Sequence, residues 1–467
     1  MDHNISMSGN IMKKAPVRVS LGYTNQNGII KTNSYKRYTF DGGISPKFFN
    51  DHLSLNVNLK ASMEDNARID ESVVGNALSY DPTRPVRTGS STASTDPGLG
   101  YFIWMNGNSP MAIQTDNPVA QLDLQNLHNK LYRSIGNVSV SYKVHGFEDL
   151  QLNMNLGYDV LESKYNKDVP QYAGMMYTAN KKDGTGLDFD SKQNKTNTLL
   201  DLYANYQHTF GEKHDFSAMA GYGWQHFWKK YNETTLSPEG TELFSPKHAK
   251  SEYYLLSLYG RLNYTYDSKY LFEANFRYDG SSRFAKGNRY GYFPSVALGW
   301  KISEESFLKD NDVLTNLKLR LSYGQTGQQD IINDYPYMTT FSVSYPESSY
   351  LFGDKWYNTY RPNGYDRDIK WETTETWNAG LDYGFLNNRI YGSIDVYKRH
   401  TKDLLNTIPV ISGVNYSAVL TTNIGEMDNK GVEFSINAVP VQTKDFSWSG
   451  SAEKYALVYK WAAAARS

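Results

Sequence analysis

What most constrains this chain is an alternation of period two that recurs along most of its length. In LSLNVNLK, Leu53, Leu55, Val57 and Leu59 share one face, while Ser54, Asn56, Asn58 and Lys60 share the other. DLQLNMNLGYDV (149–160), YLFEANFRYDG (270–280), LKLRLSY (317–323), WNAGLDY (377–383) and GVEFSINA (431–438) repeat the pattern. Successive side chains of a strand point to opposite faces, so such runs read as β-strands with one apolar and one polar face.

Alternation also fits a soluble sheet with one wet face. Three features favour a membrane barrel. The patterned runs reach about ten residues, enough for a tilted membrane crossing. The polar faces carry Glu, Asp, Lys and Arg on several strands, as a hydrated lumen allows. The connections alternate in length: short at 145–148, 211–214, 267–269 and 385–388, long at 60–132, 160–196, 225–251, 324–371 and 399–430. Short turns at one rim and long loops at the other are the outer-membrane arrangement, and a soluble sandwich rarely has so many long loops. About fifteen or sixteen strands are expected from these runs. The stretch DPTRPVRTGSSTASTDPGLG (81–100) reads as part of an external loop.

Composition narrows the function. Mean hydropathy is −0.61, which is compatible with a barrel because only alternate side chains meet lipid. No apolar run is long enough for a spanning helix, and the first twenty residues lack the apolar core of a signal peptide. Net charge is −1, so no global field recruits nucleic acid. Cysteine is absent, which excludes disulfides and thiolate chemistry.

Catalytic and metal motifs are missing. His208, His214 and His226 are the nearest approach to a histidine cluster, and their spacing fits no zinc motif. GLDFDSKQNK (186–195) does not match a calcium loop. The glycines of YDGSSRFAKG lack the P-loop pattern, no serine sits in G-x-S-x-G, and adjacent Glu304 and Glu305 diverge. The chain reads as a non-enzyme without metal or cofactor.

Aromatic residues point to an interface and to loops. Tyr266, Tyr270, Tyr278, Tyr290 and Tyr292 fall at strand ends, where a ring with a wet edge suits the membrane boundary. Ordinary sheet aromatics are the alternative. In the long segments Tyr101, Phe102, Trp104, Phe227, Trp228, Trp356, Tyr357 and Tyr360 are candidates for substrate contact. They equally suit a private core within folded loops.

Several segments resemble the barrel region of SusC/RagA-type TonB-dependent outer-membrane transporters. YLFEANFRYDGSSRFAKGNRYGYFPSVALGWKISEESFLK (270–309) carries the strongest resemblance. LTNLKLRLSYGQTGQQDI (314–331), IKWETTETWNAGLDYGFLNNRIYGSIDVYKRHTKDLL (369–405) and NIGEMDNKGVEFSINAVPV (423–441) continue it, and VRVSLGYTNQNGIIKTNSYKRYTF (17–40) resembles a first barrel hairpin. The family fingerprint falls on Tyr278, Asp279, Gly280, Ser281, Ser282, Arg283, Phe284, Gly291, Tyr292, Phe293, Pro294, Gly299 and Trp300. Within it, Arg283 and Arg289 are placed to pair with Asp279. Gly280 and Gly287 suit a positive φ or a tight bend, and Pro294 suits a bulge.

The resemblance implies a barrel of about 22 strands around an N-terminal plug. It implies import of oligosaccharides, peptides or other large nutrients across the outer membrane of a Gram-negative, Bacteroidetes-like cell. A SusD-like surface lipoprotein and the TonB–ExbB–ExbD complex are the implied partners, with outer-membrane lipid around the wall. Residues 1–455 read as a partial barrel without plug segments, and 456–467 as an atypical tail of truncation or cloning-scar character. Such a piece is expected not to transport alone. A plugless, porin-like passive channel and a soluble β-rich binding module are the other readings.

Overall fold

The computed structural model describes residues 1–467 except 12–13, 89–96, 108, 112–113, 178–183, 310, 332–333, 345, 412, 414–416 and 463–467. The centre of the 81–100 segment and the end of the 456–467 tail therefore lie outside the described residues. The fold is antiparallel β. Seventeen strands belong to one sheet, one of them the two-residue Lys47–Phe48. Two short α-helices, Ser72–Ser79 and Pro118–Leu124, interrupt it. Among the described residues no helix is long and apolar enough to cross a membrane.

The chain divides into two compact units. The first comprises Met1–Val140, Asn155–Leu199 and His226–Glu252. Here Asp2–Ile11, Ala15–Asn27, Ser34–Ile44 and Leu53–Arg68 pair in succession. A folded loop region follows. Asn117 caps helix Pro118–Leu124 by accepting from Val119 N and Ala120 N at 3.1 and 3.3 Å, with Pro118 in the first turn where no donor is needed. The small core of this unit buries Val73, Tyr101, Ala120, Val169 and Ala173.

The second unit comprises Ser141–Met154, Leu200–Gln225 and Tyr253–Ser467. It is a meander in which strand Glu242–Tyr266 pairs with Tyr270–Ser281, and Tyr290–Lys301, Leu314–Gln328, Glu372–Phe385, Ile390–Lys402, Glu426–Gln442 and Ser447–Ala462 follow in turn. Turns at one end are tight. Asp267 and Ser268 both have positive φ, 51° and 56°, a primed turn whose twist matches the strands, within the connection 267–269 between the paired Tyr266 and Tyr270. At the other end lie 282–289, 329–371 and 403–425, two of which hold small ribbons: Phe341–Val343 with Tyr360–Pro362, Tyr350–Phe352 with Lys355–Tyr357, and Leu405–Pro409 with Val419–Asn423.

Register lines up the alternation into rows. Phe272, Leu298, Leu321, Ala379, Val396, Val432 and Ala456 are successive cross-strand neighbours. Leu298, Leu321, Val396 and Val432 are 50%, 46%, 50% and 47% exposed. A continuous exposed apolar face of this kind is what a barrel turns to hydrocarbon.

Two segments expected as loops are largely strand. Leu187–Phe210, His214–Leu236 and Glu242–Tyr266 run 24, 23 and 25 residues. The expected loop 225–251 reduces to a turn in which Ser237 N donates to Thr241 O at 2.7 Å. Beyond the hydrocarbon both faces of a strand are wet, so the apolar alternation stops while the backbone ladder continues. Residues 456–462 of the expected tail belong to strand Ser447–Ala462, paired with Glu426–Gln442.

Candidate functional site

The inner face of the second unit is a polar wall. One row runs Gly299, Arg320, Gly380, Asp395 and Glu433 by direct cross-strand register. Arg320 Nε donates to Asp382 Oδ2 at 2.9 Å, and its Nη2 donates to Asp395 Oδ1 at 3.0 Å. The fork of a guanidinium suits two carboxylates at once. Two rows on, Arg261 Nε donates to Asn275 Oδ1 at 2.7 Å, and Asn275 Nδ2 donates to Glu273 Oε1 at 2.7 Å. Such a wall presents many hydrogen-bond donors and acceptors side by side.

The fingerprint hairpin closes the loop end of two strands. Arg277, not Arg283 or Arg289, pairs with Asp279: its Nη2 reaches Oδ1 at 2.9 Å and its Nε reaches Oδ2 at 3.1 Å. Residues two apart on a strand share a face, which puts Arg277 beside Asp279. Arg283 turns inward instead. Its Nε meets Asp334 at 2.7 Å and its Nη1 meets Asp330 at 2.8 Å, with the guanidinium 3.7 Å from the Tyr253 ring centroid. Ser281 Oγ donates to Gln329 Oε1 at 2.9 Å, and Ser282 Oγ accepts from Tyr254 N at 3.0 Å. Arg289 Nε donates to Phe284 O at 3.2 Å.

Beneath this clasp lies a core of Phe284, Phe293, Ile369 and Trp371. Trp371 packs on both rings at 5.6 and 5.4 Å, and its Nε1 donates to Arg289 O at 2.9 Å. The Phe293 ring covers Gly291 and Gly327, where a Cβ would come within 2.4 and 2.1 Å of it. Gly287 has φ +110°, while at Gly280 a Cβ would meet the Tyr290 ring at 2.6 Å. Pro294 sits opposite Phe276 in unbroken register, not at a bulge. The ladder to the next strand begins only at Ser295, so Pro294 lies where that side has no ladder.

The five tyrosines expected at strand ends fall into two groups. Tyr266 and Tyr270 stack at 6.2 Å near the turns, and Tyr270 stacks on Trp300 at 6.4 Å. The Tyr270 hydroxyl and Trp300 Nε1 both donate to Glu305 Oε1, at 2.6 and 3.0 Å. The Tyr270 hydrogen bond leads in holding the Glu305 carboxyl below its ordinary range. Near the loops Tyr278 lies 4.8 Å from Tyr290 and 4.9 Å from Tyr292. Eight residues separate Tyr270 from Tyr278, about 26 Å along a strand, which is roughly 20 Å of height at the usual tilt of such barrels.

The loop aromatics differ in accessibility. In the first unit Tyr101 is buried, its hydroxyl donating to Asp123 Oδ2 at 2.6 Å and its ring facing Arg87 at 4.4 Å. Burial, then the Asp123 hydrogen bond, pushes the Tyr101 phenol up. Burial pushes the Asp123 carboxyl up as well, but hydrogen bonds from Lys31 and Tyr101 outweigh it and hold the group low. Phe102 and Trp104 pack edge to face at 5.5 Å under Arg84. Trp228 is half-buried on strand His214–Leu236. In the second unit Trp356 and Tyr360 are 66% and 67% exposed, and Tyr357 stacks on Tyr350 at 5.9 Å.

Sequence reading missed the Arg320 bridge and the Arg283 clasp. Period two put Arg320 and Asp382 on polar faces, but their meeting depends on register. The histidines divide among separate partners: His208 Nδ1 lies 2.7 Å from Asp149 Oδ2, and His214 Nδ1 lies 2.7 Å from the Tyr264 hydroxyl.

Comparison with known proteins places this architecture. The family model described as TonB dependent receptor-like, beta-barrel matches residues 65–466. TonB-dependent receptor SusC of Bacteroides thetaiotaomicron is 42% identical over 96% of this chain and 45% of its own length. A TonB-dependent receptor of Formosa agariphila is 28% identical over 96% of this chain and 41% of its own. Among solved structures, the RagAB peptide transporter superposes with a TM-score of 0.78 at 21% identity, covering 99% of this chain and 51% of that one. The siderophore receptor PirA from Acinetobacter baumannii shares the fold more distantly, with a TM-score of 0.58 at 13% identity over 97% of this chain and 59% of that one. The chain thus spans about half the length of the relatives it matches. It belongs to the TonB-dependent receptor β-barrel family of the outer membrane, within the SusC/RagA type.

Proposed function

We propose that this chain supplies wall and loops of a transporter that imports oligosaccharides, peptides or similarly large nutrients across the outer membrane. The observation that carries the reading is the 42% identity to SusC over 96% of the chain. In this reading a SusD-like surface lipoprotein caps the loop end, and the TonB–ExbB–ExbD complex supplies energy. The polar inner wall lines the solute path. Trp356, Tyr357 and Tyr360 form the accessible contact set of the second unit. Tyr101, Phe102, Trp104 and Trp228 shape the loops of the first unit. Tyr266, Tyr270, Tyr278, Tyr290 and Tyr292 mark the two membrane boundaries.

The test is uptake by cells that carry the full-length gene as their only copy. Growth on defined glycan or peptide pools should require the gene, the neighbouring surface lipoprotein and an intact TonB complex. Uptake that persists without TonB, together with open conductance of the purified protein in planar bilayers, would establish a passive channel instead.

A further inference from the structure

The outward apolar face of the second unit carries lysines that its pattern does not explain, Lys454 opposite Phe434 and a pair that face each other. One row nearer the loops than Leu298, Leu321 and Val396, the register runs Val296, Tyr323, Trp377, Lys398, Lys430 and Val458. Lys398 and Lys430 are directly opposite each other. Both are exposed. Among the described residues no carboxylate forms an ion pair with either of them. Like charges directly opposite in an antiparallel pair are destabilising.

The next row toward the loops is different. It runs Gln325, Glu375, His400, Asp428 and Lys460. There Lys402 Nζ reaches Glu375 Oε1 at 2.7 Å, and His400 Nδ1 lies 3.0 Å from Asp428 Oδ1. The sheet sets carboxylates among the cations of that row and places none in the row of Lys398 and Lys430.

A shallow groove of about 820 Å³ occupies the same face. Val296, Leu298, Leu321, Trp377, Val396 and Val432 line it, together with Lys398 and Lys430. The surface therefore joins an apolar trough to a pair of cations at the level of Tyr323 and Trp377. Aromatic rings of this kind lie at the headgroup level of a bilayer. A lysine there lays its stem along apolar surface and holds its ammonium at the boundary. The anion available at that depth, attached to chains that fill an apolar trough, is a lipid phosphate.

We propose that this face binds a phosphorylated lipid of the outer membrane, with its headgroup phosphate between Lys398 and Lys430 and its acyl chains along the groove. The phosphate relieves the repulsion between the two lysines, and the groove selects an amphiphile over a soluble anion.

The test uses the full-length protein in mild detergent and native mass spectrometry. The probes are diphosphorylated lipid A, enzymatically dephosphorylated lipid A with the same acyl chains, and inorganic phosphate. A single-lipid adduct should form with the phosphorylated probe at about tenfold lower concentration than with the dephosphorylated one. The double variant Lys398→Gln/Lys430→Gln should lose that preference, and Lys398→Arg/Lys430→Arg should keep it. Lys402→Gln, which removes a paired charge from the same face, should leave the preference intact. Equal binding of the two lipid probes would overturn the proposal. So would an equal loss in Lys402→Gln, or displacement of the lipid by millimolar inorganic phosphate. Heat-modifiable gel mobility checks that each variant is folded. A lipid-free double variant should be at least as heat-resistant as the parent, because it no longer opposes two like charges.

Discussion

Arg320 and Asp395 meet across a strand that lies between theirs. Arg320 pairs in register with Gly380, Gly380 pairs with Asp395, and Arg320 Nη2 reaches Asp395 Oδ1 at 3.0 Å over the glycine. A Cβ at Gly380 would stand 2.6 Å from that nitrogen and 2.5 Å from the Asp395 oxygen. The bridge exists because the intervening residue has no side chain.

Gly380→Ala should therefore break the Asp395 contact and leave the Asp382 contact in place. Crowding of this kind costs about 1–3 kcal/mol. The ion pair itself contributes at the lower end, since it is partly solvated. A double-mutant cycle with Asp395→Ala, read from the temperature at which the full-length barrel loses its folded gel mobility, should give a coupling of at least about 0.5 kcal/mol. Additive losses would show that the glycine serves the backbone and not the bridge.

Arg283 holds Asp330 and Asp334 against the fingerprint hairpin. Its side chain is only 8% exposed and faces two aspartates, of which Asp334 is 13% exposed. Arg283→Ala leaves Asp334 shielded without its cation, a loss of about 3–5 kcal/mol when a buried pair is broken. Because Asp330 is 75% exposed, only the Asp334 half of the clasp should approach that range. Amide exchange across 329–344 should rise, while strands Leu314–Gln328 and Glu372–Phe385 stay protected. Arg283→Lys should rescue poorly, since an ammonium cannot serve both aspartates with one planar fork.

Phe284 is fully buried between Trp371 and its neighbours. Phe284→Ala should cost about 3–5 kcal/mol. Trp371→Phe keeps most of the packing but deletes the indole donor to Arg289 O, so about 1 kcal/mol is expected. Limited proteolysis between 282 and 289 orders the two: fast cutting in Phe284→Ala, slight acceleration in Trp371→Phe.

These residues also mark how far the sequence could be read. Strand faces were legible because period two survives wherever one face meets hydrocarbon, and the apolar row from Phe272 to Ala456 follows from it. The Arg277–Asp279 pair was legible in principle, being two residues apart on one strand. Arg283 was not. Its partner Asp330 lies 47 residues away, beyond two strands and the turn that joins them, and local spacing carries no sign of it. The long extensions Leu187–Phe210 and His214–Leu236 were hidden for a different reason. Outside the membrane their pairing rests on backbone hydrogen bonds, which leave no mark on side-chain polarity.

Acid should loosen the first unit's loops through Asp123. Its folded carboxyl is held below the usual range, so its contribution is present above the unfolded value of about 3.9. That contribution is lost as pH falls through the lower folded value. Asp116 opposes it: burial, then the nearby Asp70 charge, raises its carboxyl, so its effect favours the folded state as pH falls. Asp123→Asn should flatten the acid-induced rise in amide exchange around Tyr101 below about pH 4, and Asp116→Asn should steepen it. A flat profile in the parent would remove the role given to the Lys31–Asp123–Tyr101 cluster.

The exposed and buried loop aromatics should separate by phenotype. Trp356 and Tyr360 stand two-thirds exposed on small ribbons, and no buried packing depends on them. Trp356→Ala and Tyr360→Ala should leave heat resistance of the full-length protein within about 0.5 kcal/mol of the parent. If these rings stack on solute, each loss should weaken uptake by about 1–2 kcal/mol, a five- to thirtyfold rise in half-saturating nutrient at unchanged maximal rate. Tyr101→Phe should do the opposite. Its hydroxyl donates to Asp123 inside a packed cluster, so its removal should lower loop stability by about 1 kcal/mol and leave half-saturation unchanged in the folded fraction. Uptake that is insensitive to both Trp356→Ala and Tyr360→Ala would remove these rings from the solute path and leave the polar wall around Arg320 as the remaining contact surface.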